Sequence, residues 1–102
     1  MFRIVETTTD ELIIAEKISK YIINSKLSTC VQIIDGIKSY YIWEDRMVSA
    51  KEYTVKIKTL EKHINEISSI IKEKSNYDVP EVISYAFRIE DEKYENWFHE
   101  NI

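Results

Sequence analysis

Cys30 is the only cysteine in the 102-residue chain, and its thiol is the one residue able to supply a thiolate to a metal. A thiolate suits copper or another soft divalent cation. A lone cysteine within an apolar strand equally suits a packing role as a small core residue. His63 and His99 have no partner at metal-ligand spacing, and no zinc-type pattern occurs. Both read as surface residues on helices, where a carboxylate such as Glu61 or Glu81 could complete a weak site. Glu52 and Lys58 lie in a segment of alternating polarity at an even spacing, so they share one strand face and could pair with each other or across a subunit boundary. There is no nucleophile elbow, and with Gly36 the only glycine a glycine-rich phosphate loop is excluded. No catalytic constellation is present, and the chain reads as non-enzymatic.

These residues are positioned by one long stretch, 27–59. It reads as two strands, 29–43 and 47–58, joined at the charged tip Glu44-Asp45-Arg46. Tyr53, Val55 and Ile57 alternate with Glu52, Thr54, Lys56 and Lys58, the period of a half-buried strand. The first arm is rich in β-branched and aromatic residues, among them Val31, Ile33, Ile37, Tyr40, Tyr41, Ile42 and Trp43. Gly36 inside it predicts a bulge or a close backbone approach. Twelve or so extended residues reach about 40 Å at ~3.3 Å each. A compact domain of ~100 residues is only roughly 30–35 Å across. The hairpin should therefore overhang its own domain or bend at Gly36. An overhanging ribbon would expose aromatic surface and strand edges that proteins normally cover, and a second copy of the chain is the economical cover. An oligomer is expected.

Before the hairpin, 2–7 reads as a strand with Phe2 and Ile4 on one face. Thr8 and Glu11 match a capping box ahead of a helix that runs to about Ser25. Leu12, Ala15, Ile18 or Ser19, Ile22 and Ile23 form its apolar stripe. After the hairpin, a helix over 60–74 carries Leu60, Ile64, Ile67 and Ile71 on one face. Pro80 holds Val79 extended, 82–89 reads as the last strand, and Glu90-Asp91-Glu92 open a short helix presenting Tyr94, Trp97 and Phe98. Trp97 and Tyr94 read most simply as packing for that helix, with tips free to bond at an interface. The order is β-α-β-β-α-β with a terminal helix: an α+β, ferredoxin-like fold in which both main helices cover one face of an antiparallel sheet.

Length gives one domain over 1–102. The formal charge of −4 argues against a nucleic-acid surface, which needs clustered Lys and Arg. Base stacking on Tyr41 and Trp43, as in RNA-binding ferredoxin-like folds, is disfavoured by the same charge. No apolar run approaches the ~20 residues of a membrane span, and the start is too short and polar for a signal peptide. A cytoplasmic protein is expected.

An ordered set of segments resembles the CutA divalent-ion tolerance proteins. Lys26-Leu27-Ser28-Thr29-Cys30-Val31 is similar to their K-L-A-A-C-V signature. It is followed by Gly36-Ile37-Lys38-Ser39-Tyr40-Tyr41-Ile42-Trp43, Glu52 and Ile57-Lys58-Thr59. Tyr77-Asp78-Val79-Pro80-Glu81-Val82 resembles the H-P-Y-E-x-P-E segment, and Tyr94 with Trp97 resembles the closing Y-x-x-W. The resemblance implies a homotrimer akin in fold to the PII signalling proteins, with hairpins paired across subunits. Tyr40, Tyr41, Trp43, Tyr53 and Trp97 would then lie at the interface. It implies a role in divalent-cation tolerance, copper foremost, with Cys30 as a metal ligand. It also implies a charged inter-subunit cleft, formed by Trp43, Glu52, Lys58 and Tyr77, for a small anion or metal complex. Two stretches depart from the pattern: Ser75-Asn76 stand where the family often has His-Pro, which removes a proposed copper ligand, and Asp45 replaces a glycine at the tip. The alternative reading is a stable trimeric scaffold, or a small-ligand-binding signalling protein, with no direct metal role.

Overall fold

The computed structural model describes residues 1–102. Alternating and 3.6-residue patterns become four strands and three helices: β1 (Phe2–Thr9), α1 (Leu12–Asn24), β2 (Cys30–Trp43), β3 (Arg46–Leu60), α2 (Ile64–Lys74), β4 (Ile83–Ala86) and α3 (Glu92–Glu100). The sheet is antiparallel in the order β2-β3-β1-β4, the ferredoxin-like arrangement. Val5, Val55 and Ile57 supply one sheet face. Ala15, Ile18 and Ile22 of α1 and Ile67 and Ile71 of α2 close the core above it. Each is 1% exposed or less. Leu12 and Ile23 of the expected α1 stripe are instead exposed, because three residues per two turns suffice to face a sheet.

Register decides what sequence alone left open. Thr8 belongs to β1, paired with Thr54, so it caps nothing, and Thr9 accepts the Glu11 N–H with its hydroxyl at 3.2 Å. The capping box is thus overturned: two further ladder pairs with β3 outweigh one cap. Leu60 ends β3, and a 3-10 turn over Glu61–His63 precedes α2. β4 is half the expected length because its only partner runs out. It pairs with Arg3 to Glu6, and the Phe87 N–H makes one last bond to Phe2 O. Asp91 caps α3 by accepting the Tyr94 N–H at 2.9 Å.

α3 crosses to the opposite sheet face. There Phe98 is fully buried, edge-on to Phe2 at 5.3 Å and near Phe87 at 6.2 Å. Trp97, expected in the packing, stays 42% exposed.

The hairpin overhangs as its length requires. The chain extends 46 × 25 × 21 Å, and at the far end of β2 and β3 Tyr40, Ile42 and Met47 are 61%, 69% and 71% exposed. Glu44 and Asp45 form the two-residue turn, both at positive φ as a type I′ connection demands. Between Ile34 and Ile37 the register slips, so that Asp35 and Gly36 stand opposite the single residue Tyr53. Gly36 adopts a φ of +79°, and a Cβ there would meet no atom within 4 Å. Gly36→Ala should therefore cost only backbone strain, about 1–2 kcal/mol. Denaturant unfolding measures it, and a much larger loss would mean that the site is crowded.

Candidate functional site

Glu52 is the polar residue that the fold buries most conspicuously, at 6% exposure. Alternation puts it on the face opposite α1 and α2, where solvent would be expected. Burial comes from the segment between α2 and β4, which folds across that part of the sheet. Its fastenings are local and specific. The Ser75 hydroxyl accepts the Tyr77 N–H at 3.0 Å. The Asn76 amide bridges the end of β1, accepting from the Thr9 hydroxyl at 2.7 Å and donating to Asp10 at 2.8 Å. Ser75 and Asn76, the departures from the family pattern, thus hold the loop in place. So anchored, the Tyr77 hydroxyl donates to Glu52 Oε2 at 2.6 Å.

Ile37 pairs with Glu52, Tyr41 with Val48 and Trp43 with Arg46, so Tyr41 and Trp43 share the Glu52 face. With the loop they enclose a cavity of about 810 Å³, which Glu52, Tyr77, Asp78 and Glu81 also line. Of the four residues expected in a common cleft, Trp43, Glu52 and Tyr77 are brought together. Lys58 is not. Its ammonium lies 5.8 Å from the Tyr94 ring, under α3. Six residues of strand at ~3.3 Å each separate it from Glu52 by roughly 20 Å, so within one chain a shared face is not a shared site.

The electrostatics are one-sided. Burial, and then the charges of Glu6 and Glu52, raise the Glu81 carboxyl above its ordinary range. Burial and the hydrogen bond to Glu52 raise the Tyr77 hydroxyl strongly. Nearby, Tyr85 donates to Glu6, and burial with that bond pushes it up to about 12. A tyrosine raised in the folded state contributes stability that is complete below the ordinary value of 10.0 and is lost as pH rises toward about 12. Tyr85→Phe should flatten the fall of unfolding free energy between pH 10 and 12, measured by denaturant melts. An unchanged slope would remove Tyr85 from the alkaline transition.

Cys30 is half-buried on edge strand β2, opposite Lys58, and its N–H donates to the Ser28 hydroxyl at 3.1 Å. No three His, Cys, Asp or Glu side chains of the chain come together as a metal site. Tyr53, expected at an interface, is half-buried against the chain's own core, while Tyr40, Tyr41, Trp43 and Trp97 are exposed. Sequence reasoning missed Glu81 as a member of the cavity; its place after Pro80, in the loop that returns to the sheet, was the available signal.

Comparison with known proteins agrees with this fold. Residues 3–101 match the family model of the CutA1 divalent ion tolerance protein. Protein CutA 1, chloroplastic, of Oryza sativa subsp. japonica is 35% identical over 82 residues, 80% of this chain and 46% of that protein. The chain thus spans about half the length of its plant relatives. The divalent-cation tolerance protein CutA of Thermus thermophilus is 27% identical over 86% of this chain and 85% of its own. The structure of the periplasmic divalent cation tolerance protein CutA of Archaeoglobus fulgidus superposes with a TM-score of 0.92 at 27% identity, covering 99% and 98% of the two chains. No helix is long and apolar enough to cross a membrane. From residue 3 to residue 101, by sequence and by the path of its backbone, the chain belongs to the CutA1 divalent ion tolerance family.

Proposed function

We propose that this protein works as a homotrimeric, non-enzymatic divalent-cation tolerance protein in the cytoplasm, with copper as the principal cation and the whole of 1–102 acting as one unit. The overhanging hairpin carries the reading. An aromatic and apolar ribbon, with Tyr40 and Ile42 at 61% and 69% exposure, stands outside the core of its own chain and suits pairing with equivalent ribbons. The tolerance role is supported by the names of the Thermus and Archaeoglobus relatives.

One chain lacks a donor set for a metal. Copper would be held only where Cys30 thiolates and carboxylates of several copies meet, either sequestering the ion or reporting it through the assembly. Native mass spectrometry of the protein titrated with Cu²⁺ and Zn²⁺, beside Cys30→Ser, tests both parts. A trimer whose copper uptake disappears in the variant is expected. A monomer would overturn the assembly. A trimer indifferent to both metals would overturn the metal role and favour the scaffold or small-ligand reading.

A further inference from the structure

The cavity above Glu52 has a composition that selects a ligand class. Three carboxylates line it, Glu52, Asp78 and Glu81, and no Lys, Arg or His does. None of the three takes part in an ion pair anywhere in the chain. Glu52 is more than nine-tenths buried, yet only one of its oxygens has a partner, the Tyr77 hydroxyl; the other has none within the chain. Lys38 and Lys51 border a separate, smaller cavity of about 270 Å³ that Glu52 also touches, without forming an ion pair with it. Uncompensated negative charge at a half-closed site disfavours the anion that the sequence suggested and calls for a cation.

Size and walls choose between kinds of cation. A bare metal ion needs converging ligands a little over 2 Å away, and these carboxylates do not converge as a metal site. A volume of about 810 Å³ is in the range of pockets that hold small organic molecules. Tyr41, Trp43 and Tyr77 line it, the first two on the Glu52 face, and aromatic faces attract ammonium groups. We infer that this cavity binds a small organic ammonium compound with an apolar body, its charged head at Glu52 and Glu81 and its body among Tyr41, Trp43 and Tyr77. Tyr41 and Trp43 are also hairpin residues of the proposed interface, so in such an assembly the cavity would stand at the boundary between copies, with Glu52, Tyr77 and Glu81 supplied by one chain. The inference is independent of the metal reading, because Cys30 does not line the cavity.

The test is calorimetric titration of the full chain with 2-phenylethylammonium, beside 3-phenylpropionate and 2-phenylethanol as anionic and neutral counterparts. Saturable binding of the ammonium compound is expected, with roughly tenfold or greater preference over the other two. Glu81→Gln, whose carboxyl makes no hydrogen bond or ion pair within the chain, and Glu52→Gln, which keeps an acceptor for Tyr77, should each weaken it by about tenfold or more. Circular dichroism and native mass confirm that the variants are folded and assembled. Cys30→Ser should bind the ammonium compound like the parent, which separates this site from any failure of copper binding. Equal or tighter binding of the propionate would overturn the inference, since a basic residue from a neighbouring copy would then dominate the site. So would the absence of saturable ammonium binding, or binding unaffected by both glutamate variants.

Discussion

Trp43→Ala should release the proposed assembly into monomers at concentrations where the parent protein would be fully associated. Trp43 ends β2 opposite Arg46, far from the core cluster, and its side chain is only partly covered by its own chain. A tryptophan that becomes fully desolvated at the centre of an interface is the commonest type of anchor, and its truncation costs ~2–4 kcal/mol. That is roughly 30- to 1,000-fold in the dissociation constant of each contact. The core of Ile18, Ile22, Ile67 and Ile71 is untouched by the substitution, so helical circular dichroism should survive. Sedimentation from nanomolar to micromolar concentration measures the effect. A variant still fully assembled at nanomolar concentration would remove the hairpin tip as the anchor of the interface.

Phe98→Ala should produce the largest loss of stability of any single substitution at the α3 end, ~3–5 kcal/mol. Phe98 is completely buried and meets Phe2 and Phe87 in edge-on contacts. α3 has nine residues, too few to persist without tertiary contacts. Without its anchor the helix should undock and uncover Phe2 and Ile4, so amide exchange over 92–100 should rise together with the drop in unfolding midpoint. Trp97→Ala is the control. Its partly exposed side chain should cost the chain no more than about 1 kcal/mol. The reverse ranking would restore Trp97 as the packing residue of this helix.

That contrast shows where sequence reasoning reaches and where it stops. Alternation through Tyr53, Val55 and Ile57, and the spacing of Ala15, Ile18 and Ile22, are local signals, and the sheet and the α1 stripe follow from them. At 94, 97 and 98 three aromatic side chains compete for neighbouring faces of one short helix. The choice of Phe98 is made by Phe2 and Phe87, which are far away or outside the helix. β4 could not be measured from its own residues because β1 sets its length. In the site, Tyr77 and Trp43 were legible through the family pattern. Glu52 could be placed on a face but not known to be buried, since its cover is a loop whose path depends on Asn76 reaching Thr9 and Asp10. Lys58 marks the opposite limit: a period of two reports the side of a strand and says nothing about distance along it within one chain.

The extra residue at Asp35-Gly36 acts as a phase shifter. Up to Ile34, even-numbered residues of β2 point to the Glu52 face; from Ile37 onward, odd-numbered ones do. The inner half of the ribbon, with Val31 and Ile33 against the core, and the outer half, with Tyr41 and Trp43 toward the cavity, are therefore written in different frames. Running β2 without the slip, every residue kept, would turn Tyr40 and Ile42 toward the cavity and Tyr41 and Trp43 away from it, whereas deleting one residue at the slip would leave a regular ladder with Tyr41 and Trp43 in place. The extra residue thus decides which aromatic side chains line the cavity without touching the core, and one glycine holds the two halves out of step.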